Sequence, residues 1–429
     1  MAKMTFMGAG STTFAKNVLG DSMCTPALQD SEIALYDIDP VRLKDSELML
    51  KNINENINQG RAKIKSYLNR REALRGADFV VNAIQVGGYK PGTVIDFEIP
   101  KKFGLRQTIA DTLGIGGIFR ALRTIPVVMD FARDMEKVCP KALFINYVNP
   151  MAMITGALIR FTPIRAVGIC HSVQVCAPGL MYMLDMPQKK YTWKIAGINH
   201  QGWLLEITSN GRDLYPEIRR RAQLPEYRVR DRVRLEIMRR FGYYVTESSE
   251  HSAEYNPYFI KRNYPGLIKR FRIPLDEYIK RCIGAIEGWK KMRKSLVNNE
   301  NIRHERTKEY ASYIMEAVVT DNKIEIGGNV LNTGLIPNLP PEAIVEVPCL
   351  VNRNGVNPVY VGNLPEQLAG LNRTNINVQL MAIQAAITRK REHIYQAALL
   401  DPHTAAELSM DEIVKMCDAM IRAHRIKVT

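Results

Sequence analysis

The first forty residues constrain the fold of this chain more than any other stretch. Residues 3–8 are a short apolar run. Gly8-Ala9-Gly10-Ser11-Thr12-Thr13 follows, then a helical stretch through Val18-Leu19, then a second apolar run, Glu32-Ile33-Ala34-Leu35-Tyr36, closed by Asp37. Strand, glycine turn, helix, strand and terminal acid form the first half of a dinucleotide-binding unit. Glycines at 8 and 10 let the backbone approach a pyrophosphate, and the amides at Ser11 and Thr12 then face the anion from a helix N-terminus. Asp37 stands where a carboxylate accepts hydrogen bonds from ribose hydroxyls. That favours NAD over NADP, whose extra phosphate a carboxylate would repel. The usual third glycine of such turns falls at Thr13, where this chain has none.

Apolar runs at 77–84, 142–148 and 165–169 alternate with helical stretches, so residues 1–190 read as a Rossmann-like, doubly wound parallel sheet in an α/β chain. Residues 41–75 read as polar and helical. Asn82 lies in the buried run that starts at Ala77 and joins Gly8, Gly10, Ser11, Thr12 and Asp37 as a cofactor-binding candidate. Gly87-Gly88-Tyr89-Lys90-Pro91-Gly92 is a loop past that strand, where ligands sit in open α/β sheets. Asp111, in the glycine-rich stretch 109–117, reads either as a helix N-cap or as a site carboxylate. Asn149 precedes Pro150, which favours extended backbone there and fixes the carboxamide.

The texture changes from residue 191. Runs at 193–196 and 203–207 read as strands, a hairpin around His200. Residues 216–242 are basic and helical, 243–255 are dense in polar and aromatic groups, 275–296 form a long helix, and 297–312 are a charged connection. Sheet elements are expected at 325–330 and 343–348, and amphipathic helices over 364–426. Residues 191–429 thus form a mixed α+β domain for substrate, metal and oligomerisation.

Seven scattered cysteines, an odd number, form no disulfide framework and fit a reducing cytoplasm. No export signal precedes the first strand, and no apolar run is long enough to span a membrane. The formal charge of +15 invites a nucleic-acid reading. The basic residues of 215–310 are interleaved with Glu217, Glu226, Asp231 and Glu236, the pattern of solvated helix faces, and no nucleic-acid motif accompanies them.

Two further stretches carry chemistry. Gly168-Ile169-Cys170-His171-Ser172 and Gly197-Ile198-Asn199-His200-Gln201-Gly202 each put a metal-ligand type just past a predicted strand. A thiolate from Cys170 and an imidazole from His200, with added oxygens, suit a divalent first-row metal.

Taken together and in order, Gly8–Ser11, Asn149-Pro150, Cys170-His171-Ser172-Val173-Gln174 and Gly197-Ile198-Asn199-His200 resemble glycoside hydrolase family 4, the NAD- and manganese-dependent glycosidases. The general rule that this family departs from two-carboxylate hydrolysis is established. The resemblance implies Cys170 and His200 as metal ligands, Asn149 as a substrate contact and Asp111 as an acid beside the catalytic base. It implies a tyrosine base, Tyr255 in preference to Tyr244. His171 stands where the 6-phosphoglycosidase branch has an aspartate thought to be the general acid. His171 is therefore the candidate acid and substrate contact. The phospho-branch also carries an arginine in the loop after the third strand. Here that loop holds only Lys90, which cannot replace a guanidinium fork. The 96–100 and 245–251 stretches look like the α-galactosidase (melibiase) members, so the implied substrate is a neutral α-galactoside of melibiose or raffinose type. An α-glucoside or α-galacturonide remains the same-family alternative, and a 2-hydroxyacid dehydrogenase the rival outside it. The implied reaction oxidises C3 of the sugar with NAD⁺, removes the C2 proton, eliminates the glycosidic oxygen, adds water and returns the hydride. A homo-oligomer, dimer or tetramer, is expected, with no nucleic-acid or membrane partner.

Overall fold

The computed structural model describes residues 1–186 and 190–429. Its strands are β1 (Lys3–Met7), β2 (Glu32–Tyr36), β3 (Lys63–Tyr67), β4 (Phe79–Asn82), β5 (Leu143–Asn146), β6 (Arg165–Ile169), β7 (Thr192–Ile198), β8 (Gln201–Ser209), β9 (Arg212–Asp213), β10 (Tyr244–Val245), β11 (Ile324–Leu331), β12 (Ile344–Asn352) and β13 (Gly355–Pro358). The first six pair in parallel in the order β3-β2-β1-β4-β5-β6, the doubly wound arrangement expected for residues 1–190.

Both faces of this half-sheet are covered. Met4, Phe6, Ile33 and Leu35 join Val18, Leu19 and Ile53 in one core, and Met7, Val80 and Phe144 join Phe119, Leu158 and Ile383 in another. Such double burial explains the near-continuous apolar runs that mark these strands.

One strand contradicts the sequence reading. Residues 41–75 are not helical throughout: the helix Pro40–Asn58 is followed by β3, which pairs with β2 along the edge of the sheet. Its sequence, Lys-Ile-Lys-Ser-Tyr, buries Ile64 and leaves Lys63 and Lys65 exposed. Lysines on an edge strand block pairing with other chains, and here they also hide the strand among polar residues.

The sheet does not end at β6. β11 pairs antiparallel with β6 through Gly328↔Ile169 and Asn329↔Gly168, and the order continues β11-β12-β7-β8-β10. The expected hairpin is present, with β7 and β8 antiparallel and joined through Asn199-His200. Among the described residues no helix is long and apolar enough to cross a membrane.

Candidate active site

The parallel order puts the residues just after β1, β4, β5 and β6 on one edge of the sheet. These are the glycine turn, the end of β4 at Asn82, Asn149 and Cys170. Four segments far apart in sequence therefore converge without any special packing.

In the glycine turn, the amides of Gly8 and Ala9 both donate to the Tyr36 carbonyl at 2.9 Å. The Gly10 amide donates to Asp37 Oδ2 at 2.6 Å, and Asp37 Oδ1 accepts from the Asp39 amide at 3.0 Å. Asp37 thus fixes the turn as well as lying where a ribose would, and a carboxylate has lone pairs for both tasks. A Cβ at Gly8, where φ is +90°, would stand 2.8 Å from the Ala83 backbone. A Cβ at Gly10 would stand 2.7 Å from Asp37 Oδ2. Ser11 precedes the helix Thr12–Met23 without capping it by its side chain. The Thr12 hydroxyl accepts from Ser46 at 3.1 Å. Asn82 is wholly buried and donates to Asn146 Oδ1 at 2.9 Å, and its own Oδ1 has no partner among the described residues. Glycine cradle and acid together fit a dinucleotide.

Cys170 caps the helix His171–Met183, its sulfur accepting from the Ser172 amide at 3.5 Å. His200 occupies the hairpin turn at φ +62°, and Glu247 follows β10 at φ +67°. Two non-glycine residues held left-handed in one site are strain of the kind that functional sites keep. Glu247 is stitched beside the turn: the Thr246 amide donates to the Gly202 carbonyl at 2.8 Å, and the Gly202 amide donates to Thr246 Oγ1 at 3.0 Å.

Donor atoms of Cys170, His200 and Glu247 all lie within 4.8 Å of one another. His200 Nε2 and Glu247 Oε2 are 3.4 Å apart. That is beyond the usual hydrogen-bond range of about 2.7–3.2 Å. It matches the separation of about 3–3.4 Å between two ligands each ~2.1 Å from one cation. Burial disfavours a charged His200, yet Glu247, Cys170 and Asp111 surround it with negative charge and push it up to about 10. A divalent cation offsets that charge more fully than one proton, so the donor set fits a metal. Behind the turn, buried Glu346 accepts from Asn329 at 2.9 Å and Asn199 at 3.4 Å, and burial pushes it up to about 7.

Tyr255 is 1% exposed, and its hydroxyl lies 3.0 Å from His200 Nδ1. Burial, then Asp111 and Glu254, push its phenol well above the ordinary value. Tyr244 is elsewhere committed, donating to Asp231 at 2.5 Å under the Arg234 guanidinium. Asp111 is not a helix cap: the following helix starts at Gly114, after Leu113. Its carboxylate accepts from Thr112 at 2.7 Å and from Asn149 Nδ2 at 3.4 Å, with His251 Nε2 at 3.9 Å. Burial opposes its charge, but Arg120, His251 and His200 hold it below the usual carboxylate range. Arg120 also donates to the Asn149 carbonyl at 3.1 Å, and Asn149 Oδ1 is buried with no partner among the described residues.

His171 lies on the other side of Cys170. Its Nε2 is 2.8 Å from Glu309 and its ring stacks on Tyr147. The Glu309 hydrogen bond raises it above the ordinary imidazole value against the pull of burial. Sequence reading missed Glu247, Glu309, Glu346, His251 and Arg120 as site residues. Only the density of polar groups over 243–255 signalled two of them.

A model described as family 4 glycosyl hydrolase matches residues 3–186, and one for the C-terminal domain of that family matches residues 195–404. The chain is 61% identical over 425 residues to an alpha-galactosidase of Bacillus subtilis (strain 168), covering 99% of this chain and 98% of that one. It is 34% identical to an alpha-galactosidase of Rhizobium meliloti (strain 1021), over 98% and 88% of the two chains. Its fold matches the 6-phospho-beta glucosidase from Thermotoga maritima, solved with manganese, NAD⁺ and glucose-6-phosphate. That match has a TM-score of 0.81 over 100% of both chains at 20% identity. Family-wide coverage of both halves sets aside the hydroxyacid dehydrogenase reading, and the chain belongs to glycosyl hydrolase family 4.

Proposed function

We propose that this chain is an NAD- and divalent-metal-dependent α-galactosidase acting by transient oxidation of the sugar. The observation that carries the reading is the donor set of Cys170, His200 and Glu247. It stands beside Tyr255 and Asp111, at the strand edge that also bears the glycine cradle. The 61% identical relative named as an alpha-galactosidase supports the sugar.

Labour divides near residue 190. Residues 1–190 hold the dinucleotide through Gly8, Gly10, Ser11, Thr12, Asp37 and the region of Asn82, and they supply Asp111, Asn149, Cys170 and His171. Residues 191–429 supply His200, Glu247 and Tyr255. A bound dinucleotide would supply a hydride acceptor for C3, and a divalent cation held by Cys170, His200 and Glu247 would supply Lewis-acid polarisation of the sugar oxygens. Asn149 Oδ1 orients a ring hydroxyl. His200 would hold the cation through Nε2, which would leave Nδ1 to carry hydrogen and donate to the Tyr255 oxygen 3.0 Å away. That bond and the positive charge of a bound cation would oppose the rise that burial gives the phenol, so that Tyr255, having lost its own proton to solvent, takes the C2 proton. His171, whose imidazole the Glu309 hydrogen bond raises above the ordinary value, delivers a proton to the departing glycosidic oxygen. Asp111 holds the sugar hydroxyls beside Tyr255.

A neutral sugar is supported by the loop after β4. The arginine nearest it, Arg123, spends its guanidinium on Asp96 through bonds of 2.9 and 2.6 Å. Lys90 is then the loop's only cation, a point charge without bidentate geometry. A homo-oligomer in the cytoplasm completes the reading. Half-exposed Ile283, Ile286 and Met292 on the helix Glu277–Val297 support the first, and seven free cysteines the second.

The test is hydrolysis of p-nitrophenyl α-galactoside in reducing buffer, with NAD⁺ and Mn²⁺ each present or omitted. Cleavage that needs both, with solvent deuterium entering C2 of the released sugar, is expected. Cleavage without either, or cleavage only of 6-phosphorylated substrates, overturns the proposal.

A further inference from the structure

We infer that Glu254 is a positioning residue, which holds Asp111 in the site by gripping the three backbone amides immediately before it. The inference rests on the reading of Asp111 as a working site carboxylate.

Glu254 Oε2 accepts from the Thr108 amide at 2.8 Å and Oε1 from the Ala110 amide at 2.8 Å. The Ile109 amide lies between the two oxygens, at 3.3 and 3.2 Å. The loop is fastened a second time, since Thr108 Oγ1 donates to the Glu250 carbonyl at 2.7 Å. Both anchors come from the short helix Ser249–Glu254, which ends directly before Tyr255. One helix end therefore sets the Asp111 loop through Glu254 and sets Tyr255 against His200 Nδ1.

Two further features mark the grip as more than loop packing. Ala110 is held at φ +53°, a conformation that costs an L-residue about 1–2 kcal/mol and persists only where neighbours enforce it. Its amide is one of the two shortest donors to Glu254. Released, Ala110 relaxes to negative φ and turns the following residue, Asp111, away from Asn149 and Tyr255. Glu254 itself is 2% exposed, and among the described residues no lysine, arginine or histidine pairs with it. Burying a carboxylate without a cation is costly, and burial pushes this one up to about 7 despite the amides. A loop anchor alone needs no such group, because a glutamine carbonyl oxygen satisfies two amides.

The test is a double-mutant cycle on the full-length enzyme with NAD⁺ and Mn²⁺ saturating. Glu254→Ala and Glu254→Gln are each made alone and in an Asp111→Asn background. The readouts are kcat and KM for p-nitrophenyl α-galactoside, together with NAD⁺ and Mn²⁺ dissociation constants. Glu254→Ala is expected to lower kcat about 10–100-fold, the usual effect of losing a supporting group, with KM, NAD⁺ and Mn²⁺ affinities changed less than about threefold. Glu254→Gln, which keeps one acceptor oxygen and the side-chain volume, retains more kcat. In the Asp111→Asn background neither substitution costs further. Equal losses in both backgrounds, or an unchanged kcat, overturn the inference. Full activity of Asp111→Asn alone instead removes the reading on which it rests. Should Glu254→Ala not fold, the Gln variant still completes the cycle.

Discussion

The parallel and antiparallel halves of the sheet deliver site residues by different means. Beside β1, β4, β5 and β6, a residue reaches the site because it is the next one after a strand. Backbone pairing does the positioning, and the side chain needs little help. Beside β7, β8 and β10, His200 and Glu247 sit in left-handed turns and are held by a web of side-chain bonds. That web includes Tyr255 to His200, Thr246 to Gly202, and Asn199 with Asn329 to Glu346. The strand-end residues are robust to changes around them, whereas His200, Glu247 and the Asp111 loop, which follow no strand end of the parallel sheet, depend on their neighbours.

The largest expected effect comes from the strand-end half. Cys170→Ser should abolish metal-dependent turnover while leaving the NAD⁺ dissociation constant unchanged, as measured by fluorescence titration. Undiminished activity at limiting metal would end the ligand assignment. Tyr255→Phe, in the web, should lower kcat about 10²–10⁴-fold, the range for losing a general base. Its exchange of the C2 hydrogen with solvent should fall in step. Retained exchange would return attention to Tyr244. Asp37→Ala removes charge-assisted hydrogen bonds worth about 1.5–3 kcal/mol each, so NAD⁺ binding should weaken at least about tenfold with Mn²⁺ affinity intact. Thr246→Val touches no ligand directly but cuts one stitch beside Glu247. If the web positions the metal site, Mn²⁺ affinity drops about tenfold. No change would erase the contrast between the halves.

The smallest effect is on stability. Glu254 titrates near 4.5 when unfolded and is raised to about 7 by burial in the fold. The folded chain therefore binds this proton more tightly, so its contribution is complete below about pH 4.5 and lost as pH rises through about 7. Thermal melts across that range should show a falling component that Glu254→Gln removes. An unchanged slope would mean the carboxylate is ionised throughout.

How much was legible in the sequence follows the same divide. The parallel sheet, the glycine cradle, Cys170, Asn149 and the His200 hairpin announce themselves through periodicity and chain order. β3 does not, because an edge strand with alternating lysines looks like any polar segment. Asp111 stayed open between cap and site carboxylate, and only the start of the next helix at Gly114 excludes the cap. Glu247 and Glu309 were hidden for another reason. One lies in a polar-aromatic stretch and the other in a charged connection, and nothing local distinguishes a carboxylate aimed at His200 or His171 from one aimed at solvent. Such roles come from long-range pairing, which a single chain's pattern does not record.

The β6–β11 pairing has a consequence for how the molecule can move and be re-engineered. Because Gly168 and Ile169 share a ladder with Asn329 and Gly328, the halves are welded through the strand that leads directly into Cys170. Opening them like a clamshell would tear hydrogen bonds next to that residue. For the same reason a cassette cut near residue 190 would sever the sheet at its chemical centre. Grafting a different sugar specificity onto this cofactor module should proceed turn by turn, leaving the shared ladder whole.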